Sequence, residues 1–396
     1  MTISSKSKST HLLVPVLVLT FANQAQAATH YVAKTGIDSS SCGTSDSPCL
    51  TITYAYNNKT TAGDIIIVKS GTYTDYYPGY GLRLTKSGTA SAPITIKSET
   101  KWGAILDGEN RSATDRHSVV WISGNYNIIE GFDIKRGHYS GAVVYGNHNQ
   151  VRNNNIHNNG TTGDPASDSG HDGGGASPTS TGTIWYGNHI HHNGRPTCNP
   201  YGTQLTPCNL DHGIYSYGKN ESIINNVITY NMANGVVTGN QGTYNWKIYN
   251  NTIAFNRYGI TLWEYMEGVD IKNNIIYKNA LNGVLTWRAS GSGIAIDRNV
   301  VFGNGSPWTL SGASYSLGTN YTTSDPQLVA ETSDYHLQST SPAIDKGISL
   351  TVVFSDADGV NRPQGSAYDI GAYEFSSTTP SNAPPTAPTE LRVQLK

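Results

Sequence analysis

Charge is what this sequence has least of. Only 14% of its 396 residues are Asp, Glu, Lys or Arg, and the net charge is -2. With no polybasic patch, the electrostatic attraction that holds most nucleic-acid binders to phosphate is missing, which sets that class aside. Cysteine is scarce too: four residues fall as two close pairs, Cys42 with Cys49 and Cys198 with Cys208. Neither pair has CxxC spacing or a histidine companion, so cysteine zinc ligation is not expected. In an oxidising compartment each pair is expected to close a small loop. No 3.6-residue apolar stripe is present, and Gly and Asn recur every few residues, which argues against helical packing. Long apolar runs are missing as well. The single candidate, "LLVPVLVLTFA", is about eleven residues long, too short to span a bilayer. Lys6 and Lys8 precede it and "AQA" at Ala25 to Ala27 follows, so residues 1–27 read as an export signal and the mature protein as secreted or periplasmic.

What the chain has in plenty is glycine, 42 residues, and tyrosine, 25 residues, which suits a turn-rich all-β protein. The pattern N-x-[IV]-x-x-N starts at Asn154, Asn188, Asn226, Asn251, Asn274 and Asn299, at spacings of 34, 38, 25, 23 and 25 residues. Three spacings share a basic period; the first two are that period plus an insertion. Ahead of most copies comes a glycine and a short alternating run, such as "GIYSYG", "GITLWE" and "GVLTWR". A period of this length with β-like segments predicts a solenoid whose coils bury their apolar faces only by stacking. Ile214, Ile260 and Val284 are expected inside, and Tyr215, Tyr217, Trp263 and Trp287 outside. Asn suits the stacked turns because it tolerates left-handed angles and its amide can bond the coils above and below.

These features resemble the right-handed parallel β-helix superfamily that includes pectate lyases and related secreted, polysaccharide-active proteins. The resemblance covers most of residues 29–375 and gives a single domain over 28–375. Its opening segment implies a capping helix around Ile52 to Asn57, with "DIIIVKSGTY" as the first full strand. Beyond it, residues 376–396 read as a Ser/Thr/Pro linker, ending in "APPTAPTELRVQ", which is similar to the first strand of a fibronectin type III module. The resemblance implies an Asn ladder between the second and third strands of each coil, glycine-led first strands, and polysaccharide bound along that first sheet. Both insertions, "NNGTTGDPASDSGHDGGG" and "NGRPTCNPYGTQLTPCNLDH", would wall a cleft there.

Four dipeptides reach the expected cleft edge: Arg116-His117, His138-Tyr139, His171-Asp172 and Asp211-His212. Each taken singly also reads as a solvated turn. Together they suit β-elimination from a uronate polysaccharide, which needs a cation on the carboxylate, a base for the C5 proton and an acid for the leaving oxygen. Arg116, Lys135, Arg136 or Ca²⁺ would supply the charge. His171 or His212 would be the base, held by Asp172 or Asp211, and Tyr139 or Tyr215 the acid. A C5 epimerase would share the first step. Paired carboxylates, Asp172 and Asp211, would instead suit a hydrolase, although the Asn-x-Asp, Asp-Asp and Arg-x-Lys set of polygalacturonase-like β-helices is missing. A non-catalytic binder is the third reading: Tyr145, Tyr217, Trp263 and Trp287 would stack on sugar rings, with Arg257, Glu264 and Arg288 beside them. Asp164, Asp168 and Asp172 offer the oxygen ligands of a Ca²⁺ site, or simply a polar loop. His157, His189, His191 and His192 fall on third strands, away from the cleft, as surface residues. A monomer acting on polysaccharide is expected.

Overall fold

The structure, a computed structural model, describes residues 27–74, 81–111, 118–161, 173–196, 210–239 and 242–376. The export segment up to residue 26, the Cys198–Cys208 pair and the tail from 377 lie outside the described residues.

The chain winds as a right-handed parallel β-helix. One coil runs through Asn234–Thr238, Thr243–Tyr249 and Thr252–Ala254 before Tyr258 opens the next. Neighbouring coils pair in parallel, Val236 on Ile260 and Ile260 on Val284. First and second strands join into one 18-stranded sheet, because Tyr258–Lys272 and Asn282–Asp297 run unbroken around the bend between them. Third strands form a separate 9-stranded sheet. The alternation places Ile214, Val236, Ile260 and Val284 in one buried column. Ile156, Ile190, Ile228, Ile253 and Ile276 form another. Each such side chain contributes about 1.5–3 kcal/mol by leaving water.

Two Asn ladders run through the stack, where the sequence pattern suggested one. The first Asn of each repeat, from Asn154 through Asn188, Asn226, Asn251, Asn274 and Asn299, donates its backbone N–H and its amide to the next one's Oδ1, the amide bonds at 2.9–3.2 Å. The last Asn does likewise, from Asn159 through Asn193, Asn231, Asn256 and Asn279 to Asn304. Left-handed angles fall on the residue before each ladder Asn, as at Asn153, Asn225, Tyr230 and Phe255. The ladder residues themselves serve for their amides, not for their backbone tolerance.

The glycine that opens each first strand has a packing cause. A Cβ on Gly141, Gly174, Gly213, Gly235, Gly259 or Gly283 would sit 2.4–2.8 Å from a neighbouring coil's carbonyl oxygen and about as close to a third-strand Ile or Val methyl, with a ladder amide just beyond. Glycine, central apolar residue and terminal Asn therefore form one interlocking corner.

The N-terminal end is capped and one flank is covered. The helix Ile52–Lys59 starts at Thr51, whose hydroxyl accepts the Tyr54 N–H, and a Cys42–Cys49 disulfide braces the segment ahead of it. Residues from Leu328 to Tyr373 fold back over the third sheet, packing Tyr335, Ala343, Ile370 and Tyr373 against Val227, Ile275 and Val300. That strap leaves the first sheet uncovered by the C-terminal segment.

Candidate active site on the first sheet

The two insertions rejoin the helix side by side. One ends at Gly173 and the other at Leu210, in adjacent coils whose first strands pair Gly175 with Ile214. The Gly174 N–H donates to the His212 carbonyl, and the Gly213 N–H to that of Asn234. His212 thus shares a register position with Gly173 and Asn234, and Asn234 pairs with Tyr258.

His212 is fully buried. Its Nδ1 accepts the Asn234 backbone N–H at 3.3 Å and lies 2.9 Å from the Asn234 amide nitrogen; Asn234 Oδ1 in turn accepts the Thr261 hydroxyl at 2.7 Å. Because a backbone N–H can only donate, Nδ1 carries the lone pair and the proton of the neutral ring sits on Nε2. That Nε2 is buried with no hydrogen-bond partner among the described residues. Burial drives the His212 pKa down to about 3, so the ring is a neutral donor at ordinary pH. Tyr215 lies beside it, ring centroids 5.2 Å apart, and Tyr217 meets Tyr215 edge to face at 4.8 Å. Gly239 makes room for the Tyr217 ring, since a Cβ there would lie 1.3 Å from Tyr217 Cδ1.

Asp211 does not hold His212. Its Oδ2 lies 3.0 Å from both Nε and Nη2 of Arg195, and both side chains are buried. Arg195 carries no signal in sequence; it becomes visible only when the turn after Asn193 brings it over the next coil. Tyr139 is buried and His138 half-buried, just ahead of Ser140 in the neighbouring first strand. Lys135 and Arg136 are not on the first sheet. Lys135 ends the third strand Asp133–Lys135, 3.3 Å from Asp133, and Arg136 occupies the corner after it, bound to both Asp107 oxygens. Only Gly137 stands between Arg136 and His138 in sequence, yet a corner of the helix lies there.

The outer aromatics do line up. Trp263 pairs with Trp287 in adjacent coils, and Trp287 is 43% exposed. Glu264 and Arg288 follow at left-handed corner positions. Tyr145 packs on Trp121 at 4.6 Å, with Arg83 over the same ring at 5.6 Å; Trp121 and Arg83 extend the surface beyond the sequence expectation. Arg257 is buried against Tyr258. Arg116, Asp164, Asp168, His171 and Asp172 lie outside the described residues. Among the described residues one trio of metal-ligand types comes close enough for an ion, Asp38 with Cys42 and Cys49. The two cysteines are disulfide-bonded and Asp38 accepts from Leu50, Thr51 and the Thr51 hydroxyl, which fills that role structurally.

A family model described as Pel9A-like, right handed beta helix region, matches residues 30–180. Pectate lyase L of Dickeya chrysanthemi is 33% identical over 143 residues, 34% of this chain and 32% of that protein. Pectate lyase PEL9 of Emericella nidulans is 40% identical over 88 residues, 22% of this chain and 20% of its own. The matched segments thus span a third or less of these relatives. The crystal structure of pectate lyase Pel9A superimposes with a TM-score of 0.55 at 19% identity, covering 89% of this chain and 97% of that one. The chain thus has the right-handed parallel β-helix fold of Pel9A, and its residues 30–180 match the Pel9A-like, pectate lyase-related β-helix family.

Proposed function

We propose that this protein is a secreted polysaccharide lyase that cleaves a uronate-containing glycan by β-elimination along its first sheet. The observation that carries the reading is the buried, neutral His212, whose Nε2–H points away from its Asn234 anchor without a described partner, next to the Tyr215 ring. A fixed, desolvated donor is suited to an oxygen that gains negative charge as a reaction proceeds.

In the reaction a base removes the C5 proton and the electron pair spreads onto the uronate carboxylate. It then closes the C4–C5 double bond as the C4–O bond breaks, and an acid returns a proton to the leaving oxygen. His212 would donate to the carboxylate oxygen that accumulates charge; with its Nδ1 occupied, it suits this role better than that of base. Tyr215, half-buried at the sheet surface, would handle the proton of the leaving oxygen. His171, four residues or fewer from the end of the first insertion, remains the base candidate, and Arg116 the carboxylate partner. Arg195 and Asp211 neutralise each other, so they would set the turn and stay out of the proton transfers. Asp164, Asp168 and Asp172, outside the described residues, carry the oxygen ligands that Ca²⁺ takes, and a bound ion would add positive charge beside the substrate carboxylate. The pectate lyase relatives and the Cys42–Cys49 disulfide support a lyase acting outside the cytoplasm.

Incubation with pectate, alginate and glycosaminoglycans, with and without chelator, tests the reading. A lyase raises near-ultraviolet absorbance from the new unsaturated uronate. Reducing ends released without that absorbance would point to a hydrolase, a role in which Asp211 is poorly placed because Arg195 occupies it. The Trp263–Trp287 pair favours one other reading, a glycan-binding surface. Retardation of a glycan in a gel with no new ends would support it.

A further inference from the structure

The third sheet carries a histidine cluster that the proposed lyase site does not use. His157 and His191 occupy the same register position in adjacent coils, with rings stacked at 5.0 Å and 6°. His192 follows at the corner with φ 52°, its ring perpendicular to that of His191 and stacked on Tyr230. The two neighbouring rings meet nitrogen to nitrogen, Nδ1 of His191 lying 2.8 Å from Nδ1 of His192.

The proton positions around this pair follow from one carboxylate. Asp133 Oδ1 can only accept, so the Asn155 group 2.9 Å away is its NH₂. Asn155 Oδ1 then faces His191 Nε2 at 2.9 Å, and that nitrogen must carry the hydrogen. A neutral His191 therefore presents its Nδ1 lone pair to His192. His192 Nδ1, 2.8 Å from that lone pair, carries the hydrogen in the metal-free protein, and a bound ion would take its place as the His192 proton moves to Nε2. The chain Asp133–Asn155–His191 orients the ring as outer partners orient the histidine ligands of metal sites.

We propose that His191 Nδ1 and His192 Nδ1 form a two-nitrogen site for a divalent transition-metal ion, with water completing its coordination. Imidazole nitrogens sit roughly 2.0–2.1 Å from such ions, so two of them 2.8 Å apart subtend about 85° at the metal. A tetrahedral ion would need them roughly 3.3–3.4 Å apart at the same bond lengths. The spacing is that of cis ligands in tetragonal coordination, which selects Cu²⁺ or Ni²⁺. His157 lies outside the set. Its Nε2 is bound to Asp133 at 2.7 Å and its Nδ1 lies 3.0 Å from Asn158 Oδ1, so both ring nitrogens are engaged. Local positive charge is already matched, Lys135 by Asp133 and Arg136 by Asp107. His191 is half-buried and His192 exposed, so an ion can reach the pair without opening the fold.

Titration of the full chain with Cu²⁺, followed by electron paramagnetic resonance, tests this directly. One tight equivalent with a tetragonal, two-imidazole signature is expected. His191→Gln and His192→Gln should each remove it, Asn155→Leu should weaken it about ten- to hundredfold, and His157→Gln should leave it in place. Nitrogen NMR of the metal-free protein should find the His191 proton on Nε2, a readout independent of any substitution. Retention of the tight site in both His191→Gln and His192→Gln, or a His191 proton on Nδ1, would overturn the proposal.

Discussion

Asn234 grips His212 from the next coil, its backbone N–H and its amide both directed at the same ring nitrogen. The grip fixes which nitrogen of His212 holds the proton, and it makes the ring a donor before any substrate arrives. His212→Phe keeps most of the ring volume and removes the donor. Lyase turnover is expected to fall about 10²–10³-fold, mainly in kcat, with an unchanged far-ultraviolet circular dichroism spectrum. Turnover equal to the parent in a folded variant would take His212 out of the mechanism.

The same burial has a pH signature. The folded-state pKa of His212, about 3, lies below the ordinary histidine value of 6.5. As pH falls from 6.5 towards 3 the unfolded chain takes up a proton that the folded site refuses, so His212 contributes a loss of stability on acidification across that window. Above 6.5 it contributes nothing further. Proton NMR of the His212 ring should show no titration between pH 5 and 8, and a midpoint in that range would contradict the burial argument.

Much of the scaffold was legible because every coil repeats the same local constraints. Gly235, Ile253 and Asn256 lie within one repeat, so their shared corner leaves its mark as a spacing. The site was less legible, because its contacts join residues that no period relates. Asp211 looked like the partner of the adjacent His212, but Arg195, 16 residues earlier, claims it across an insertion. Lys135 and Arg136 read as neighbours of His138, and only the corner at Gly137 separates their sheet from the first. Most left-handed positions beside the ladders are Asn or Gly, as at Asn153, Gly187 and Asn225, but Tyr230 and Phe255, whose rings stack on each other, carry no such mark in the sequence.

Arg195 and Asp211 should respond very unequally to single and double substitution. Asp211→Asn leaves a buried guanidinium without its counter-charge and should cost about 3–5 kcal/mol. Replacing both, as Arg195→Met with Asp211→Leu, removes the uncompensated charge and should recover much of that loss. Urea denaturation of the three proteins gives the comparison; a double variant no more stable than Asp211→Asn would mean that packing at the turn, and not charge, sets the cost.

His336 is the opposite case from His212. It bridges Asp334 at 2.6 Å and Asp358 at 2.9 Å within the C-terminal strap, and its ring stacks on Tyr373 at 3.9 Å. Although burial opposes the charged form, hydrogen bonds to the two carboxylates raise its pKa to about 9. Its contribution to stability should be complete below 6.5 and fade as pH rises through 9. The side chain is 39% exposed, so solvent screening keeps that contribution small. A His336→Gln variant should therefore lose a little stability at pH 6 and match the parent at pH 10.

The glycine corner predicts a steric penalty that hydrophobicity alone does not. On Gly235 a methyl group would lie 2.5 Å from Ile253 Cγ2, 2.8 Å from the Gly259 carbonyl oxygen and 3.0 Å from the Asn256 amide. Gly235→Ala adds apolar volume to a closed corner, and relief requires moving the ladder or the neighbouring strand. Overpacking of this kind costs about 1–3 kcal/mol. The same change at Gly312, whose φ is 84° and which lies outside the corner column, should cost through backbone strain and a Cβ 2.1 Å from the Ala289 carbonyl oxygen, with no third-strand side chain involved. Ile253→Ala, which removes the Cγ2 that meets Gly235, separates the two causes. Measured against the Ile253→Ala background, the cost of Gly235→Ala should shrink and that of Gly312→Ala should stay the same in urea midpoint. Equal effects on both variants would show that the third-strand isoleucine does not set the corner.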